Sequence, residues 1–200
     1  MLAAVLPSPN YYRVVNPGPY VRRRQAWILG QMNGLPAAAE IGWGRKLPRG
    51  RGIGLAAHFT FGGYAAHAME ISVSPAGEIR FERVVCAIDV GRPINPLGIA
   101  AQIQGGTIDG LSTAMNLEIT IRDGRVEQSN FDGYPLAMMG QMPRDVEVLL
   151  IDSAASPSGC GEMGIPTAAP ALANAIFAAT GVRIRNLPLR GQLREALKKA

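Results

Sequence analysis

Residues 64–73 alternate with a period of two: Ala66, Ala68, Glu70 and Ser72 fall on one side of an extended chain, and His67, Met69, Ile71 and Val73 on the other. That period belongs to a strand and cannot be laid along one face of a helix. Ser74-Pro75-Ala76-Gly77 is a turn signal, and the apolar run from Ile79 to Val90 supplies the partner strand of a hairpin. Ile53 to Phe61 reads as a further strand.

Helices are expected on either side of more strands. Asn95-Pro96 has the chemistry of an N-cap followed by proline at the first helical position, so a helix should run from Pro96 to about Asn116. Leu117 to Arg122, the Asp123-Gly124 turn and Val126 to Asn130 predict another hairpin, and Val146 to Ile151 another strand. A loop at 153–166 leads into a helix that should stop at Thr180, with Gly181 at the position that favours left-handed backbone. Upstream, residues 22–41 can form a helix weakened by Gly30, Gly34 and Pro36. Residues 1–20, with Pro7, Pro9, Pro17 and Pro19, read as an extended arm, and Gly42 to Gly54 as a connector. The expected class is α+β, with helices packed on mixed or antiparallel sheets. Three segments follow: an arm, helix and connector over 1–52, a domain over 53–190 and a tail over 191–200.

Charge separates the ends of the chain. Residues 1–55 hold eight Lys/Arg and a single acid, Glu40, whereas residues 56–200 hold twelve Lys/Arg and fourteen acids. The basic clusters are Arg22-Arg23-Arg24 and the run Arg45 to Arg51. They read first as a solvated face, with a surface for an acidic partner or phosphate groups as the alternative. Nucleic acid is disfavoured, because Tyr20, Trp27 and Trp43 form no stacking series. A hydrophobic fraction of 48% against 18% charged residues leaves limited wettable surface and suggests a large interface.

Cys86 and Cys160 match neither a zinc pattern nor a disulfide framework, and His67 and His58 read as core or rim residues. No run of about 18 apolar residues is present, so no membrane span is expected. Met1 to Pro7 lacks the basic and apolar regions of a signal peptide. The cytoplasm is therefore favoured, with the periplasm open through a partner.

Two stretches could carry chemistry. Gly159-Cys160-Gly161-Glu162-Met163-Gly164-Ile165 mounts one carboxylate among small residues. Alone, it reads as a turn with a solvated or capping glutamate; the alternative is a positioned acid or base. On the helix after Asn95, Gln102, Gly105, Gly106 and Asp109 share one face. Two glycines inside a helix cost roughly 1 kcal/mol each against alanine, so something should offset them. Close helix–backbone packing would do so, as would a ligand lying on the bare backbone.

Four ordered blocks then resemble one family. They are Phe61-Gly62-Gly63-Tyr64 with Met69 to Val73, Ala87 to Pro96 (AIDVGRPINP), Gln102-Ile103-Gln104-Gly105-Gly106, and Gly159 to Glu162 continuing through Ala171 to Ile176. Over roughly residues 40–190 the chain resembles the C-terminal part of the molybdopterin-binding large subunit in the xanthine dehydrogenase/aldehyde oxidase family. Within it, Gly42-Trp43-Gly44 and Arg49-Gly50-Arg51-Gly52 most resemble the β-subunit of isoquinoline 1-oxidoreductase.

The resemblance implies that residues 53–190 form a molybdenum-cofactor-binding-like domain and that the whole subunit oxidatively hydroxylates an N-heteroaromatic or aldehyde carbon with water. It implies Glu162 as general base. Gln102 would hydrogen-bond the pterin, Gly105 and Gly106 would admit it closely, and backbone groups of Cys160 and Gly161 would lie near the metal. No residue here is implied as a metal ligand, because the pterin dithiolene holds the molybdenum. The pterin is in its plain or cytosine-dinucleotide form, and 2Fe-2S clusters belong to a partner subunit. A full large subunit is several times longer, and its upstream Gly-rich cofactor loops find no match in this sequence. Independent turnover is not expected, and a non-catalytic cofactor-binding or assembly module, or a truncated remnant, is the alternative.

Overall fold

The three long strands lie side by side in one sheet. A computed structural model describes residues 36–151, 153–189 and 191–198. The expected arm, Arg22 to Arg24 and the start of the first expected helix lie outside these residues; the helix's last part is α1, Pro36–Glu40. β1 (Arg51–Thr60), β2 (Gly63–Val73) and β3 (Ile79–Asp89) are consecutive and antiparallel. After β3 the chain forms helix α2 (Pro96–Met115), whose first turn is closed by the Asn95 side chain accepting from Gly98 N at 3.0 Å. It then returns as β6 (Glu147–Leu150), parallel to β3. The sheet order is β1-β2-β3-β6, mixed as expected.

The alternation of β2 separates two buried faces. Ala68 packs with Val85, Ala87, Ile53 and, from the α1 side, Ala37 and Ile41. Met69 and Ile71 face the other way, into a core built with Leu111 and Ala114 of α2. The third wall of that core is α3 (Ala168–Thr180), where Ala168, Ala171, Leu172, Ala175 and Ile176 are buried at helical spacing. Small residues let α3 come down onto β1: a Cβ at Gly54 would stand 2.1 Å from Ala171 O. Gly181 ends α3 with φ of 77°, as expected.

Two expectations need correction. The second hairpin shrinks to two strands of two residues each, β4 (Ile121–Arg122) and β5 (Arg125–Val126), joined through Asp123-Gly124. All four strand residues are exposed, and a ribbon with no face to bury does not extend far. Within the tail, α4 (Gln192–Leu197) drops Leu193, 3% exposed, into the main core. The basic run 45–51 is not simply a solvated face. Arg45 and Arg51 both pair with Glu70, whose side chain is 3% exposed, because a carboxylate on a buried sheet face requires charged partners.

Candidate functional site

α2 carries Gln102 on an exposed position, one turn above a buried stripe of Ile99, Ile103 and Thr107. The loop 159–165 lies alongside. Its anchor is Met163, fully buried against Ala65, Cys86, Ile88 and Ile103, a burial contributing about 1.5–3 kcal/mol. Gly164 sits so close to α2 that an added Cβ would be 2.8 Å from Ile103 O. With Met163 directed inward, the preceding residues are left at the surface: Gly161 and Glu162 are exposed and Cys160 is half-buried.

The helix and the loop meet where the two sequence blocks placed the site. Gln102 Nε2 donates to Gly161 O at 3.4 Å, across a separation of 59 residues. The glycines of α2 divide between the two explanations for them. Gly106 lies under the loop, with an added Cβ only 3.4 Å from Gly164 Cα, whereas around Gly105 there is nothing within 4 Å. Gly110, which the sequence pattern did not single out, is also a packing glycine, 2.8 Å from Ala168 Cβ by the same measure. Bare backbone at Gly105, an amide with hydrogen-bonding capacity to spare at Gln102 and an open glycine at 159 fit a flat, polar ligand.

Glu162 is exposed in this chain. The cavities of about 380 and 790 Å³ lie elsewhere, against Ile79 and the Gly140–Gln141 segment, and neither is lined by Gln102 or Glu162. Among the described residues no three His, Cys, Asp or Glu side chains group to hold a metal ion. Burial pushes the Cys86 thiol up to about 12, which makes it inert. No helix among the described residues is long and apolar enough to cross a membrane.

Comparison with known proteins decides the family. Residues 28–143 match the molybdopterin cofactor-binding domain. The chain belongs to that family. This molybdopterin cofactor-binding domain is 38% identical over 111 residues to the beta subunit of isoquinoline 1-oxidoreductase from Brevundimonas diminuta, covering 56% of this chain and 14% of the relative. It is 34% identical over 151 residues to a nicotinate dehydrogenase subunit from Pseudomonas putida, covering 72% and 13%. Aldehyde oxidoreductase from Desulfovibrio gigas superposes with a TM-score of 0.59 at 26% identity, covering 68% of this chain and 15% of that one. The domain thus spans about one seventh of the length of the relatives it matches. Both its fold and its family are those of the molybdenum hydroxylases.

His67, read from the sequence as a core or rim residue, is buried, whereas its partners Thr107 and Thr167 were not singled out. His67, Thr107 and Thr167 are each 0–1% exposed and hydrogen-bonded together between β2, α2 and the start of α3. The available signal was a histidine on the apolar face of a strand, which must find polar partners once buried. Nothing in the sequence names those partners, 40 and 100 residues away.

Proposed function

We propose that this chain forms the C-terminal part of the cofactor site in the catalytic subunit of a molybdenum hydroxylase, acting on an N-heteroaromatic or aldehyde carbon with water as the oxygen source. The observation that carries the reading is the contact of Gln102 with Gly161, the residue before Glu162, beside the open backbone of Gly105. The names of the relatives support the substrate classes: an isoquinoline oxidoreductase, a nicotinate dehydrogenase and, in Escherichia coli, an aldehyde oxidoreductase molybdenum-binding subunit.

When bound, the molybdenum–pterin group, in its plain or cytosine-dinucleotide form, supplies the two-electron oxidation and the metal. Within this chain, Gln102 offers the pterin a donor and an acceptor, and Gly105 lets it approach the helix. Gly106, in contact with the loop, keeps the loop close. Backbone groups of Cys160 and Gly161 border the reacting centre. Glu162, as general base, would accept on its carboxylate a proton from the water that supplies the oxygen. A carboxylate does this best when its surroundings are desolvated, so the upstream half of the subunit must close over the loop. The iron–sulfur clusters that would take up the electrons belong to a 2Fe-2S small subunit in this reading.

Co-expression with chains carrying the upstream half and the iron–sulfur clusters tests this reading. A purified complex containing molybdenum and oxidising a heteroaromatic or aldehyde substrate is expected. The exposure of Glu162 favours one second reading, a non-catalytic cofactor-binding or assembly module, or a truncated remnant of the subunit. Metal-free complex from cells competent in cofactor synthesis would support that reading instead.

A further inference from the structure

His67 projects from β2 with none of its surface exposed, between two helices that each carry one part of the candidate site. Its Nδ1 is 2.6 Å from Thr167 Oγ1 and its Nε2 2.8 Å from Thr107 Oγ1. Thr107 Oγ1 has one proton and donates it to Ile103 O at 2.7 Å. It must therefore accept from the imidazole, which puts the ring hydrogen on Nε2. Nδ1 is left as an acceptor, and the Thr167 hydroxyl donates to it. The chain of donors thus runs in one direction, from Thr167 through the ring to Thr107 and into the backbone of α2. It requires a neutral ring, and burial pushes His67 down to about 3.

The partners are placed with a matching offset. Thr107 follows Gln102 by five residues on α2, and Thr167 follows Glu162 by five residues at the cap of α3. Met163 also holds the loop, but apolar burial is non-directional and tolerates sliding, whereas hydrogen bonds fix a distance and an angle. We infer that His67 is a positioning residue for the candidate site: through Thr107 and Thr167 it fixes the 159–167 segment on α2, so that Gly161 and Glu162 stand beside Gln102. That this fixing serves cofactor binding rests on the function proposed above; the fixing itself does not.

Amide hydrogen exchange on the full 200-residue chain tests it. The reporters are the N–H groups of Ile165 and Ala168, which donate to Glu162 O and Ile165 O. Thr167→Val should speed their exchange about tenfold, the effect of losing one buried hydrogen bond, while amides of β2 stay unchanged. His67→Phe, which puts a somewhat larger ring without nitrogens in its place, should do the same. Thr167→Ser retains the hydroxyl and should stay within about twofold of the parent chain. Ile176→Val, a change in the core face of α3, should not reproduce the loop-confined pattern. Unaltered exchange in Thr167→Val, or a rise spread equally through β2, overturns the inference; should His67→Phe fail to fold, the Val and Ser variants still decide it. Molybdenum content of the co-expressed complex is the separate arm. Metal in the parent complex and severalfold less in Thr167→Val supports the link to the cofactor. No metal in the parent overturns that link and the function above, while the exchange result still decides the positioning.

Discussion

The side-chain amide of Gln102 on α2 reaches the carbonyl oxygen of Gly161 at 3.4 Å. At that length the bond is weak, and it leaves the amide oxygen and a second N–H for another partner. A ligand arriving at Gly105 can therefore recruit Gln102 without breaking a strong contact.

Glu162→Gln should leave the fold and cofactor content of the assembled complex unchanged while lowering kcat by about 10²–10⁴, the usual range for a general base. Metal analysis and steady-state kinetics on the same preparation check it. Wild-type kcat with the metal still bound would remove Glu162 from the chemistry.

The two glycines Gly105 and Gly110 should respond in opposite directions to alanine. Gly105→Ala meets no neighbouring atom, so it should stabilise the chain by about 1 kcal/mol, a rise in Tm of roughly 2–4 °C. It should at the same time reduce cofactor uptake, because the added methyl occupies the approach to the helix. Gly110→Ala would push against Ala168 Cβ at 2.8 Å and Ile165 O at 2.9 Å, and should destabilise by about 1–3 kcal/mol. Thermal unfolding of both variants, with metal content for the first, separates the packing role from the ligand role.

Acid should unfold the protein partly through His67. Burial pushes its folded-state value down to about 3 from an ordinary 6.5. Above pH 6.5 neither state binds the proton, and between the two values only the unfolded chain does. Stability is therefore complete above 6.5 and is lost as pH falls toward 3, by at most about 5 kcal/mol from this group. Urea unfolding from pH 7 to pH 4 should show a smaller decline in His67→Phe than in the parent chain.

Glu70→Gln should cost about 2 kcal/mol, because Arg45 and Arg51 would lose the carboxylate that holds them against the sheet. The cost stays below that of a fully buried pair, since the two arginine side chains are 45% and 35% exposed. Urea midpoints at neutral pH measure it, and a variant as stable as the parent would make the pairing energetically idle.

Much of the fold was legible. The alternation through Met69, the Asn95-Pro96 cap and Gly181 each state a local backbone preference, and each element formed within a residue or two of its expected bounds. The short ribbon at 121–126 was misjudged and helix α4 was not read, because both depend on whether a surface exists to pack against, which no local pattern specifies. Gln102 and the 159–162 loop stood out from helix-face spacing and small-residue composition, the resemblance supplied their roles, and only the structure showed their contact. Gly105 and Gly106 look identical in sequence, yet one faces open space and the other faces the loop.

The order of residues by itself determined the strands, the capped helices and the family, because these rest on periodicity, capping chemistry and short blocks within one stretch of chain. Only the tertiary structure decided that Thr107 and Thr167 share one imidazole, that Glu70 absorbs Arg45 and Arg51, and that Met163 points inward and leaves Glu162 outside. Those outcomes come from long-range packing. A buried polar atom must take whichever partner the topology brings within about 3 Å, and neighbours in space need not be neighbours in sequence.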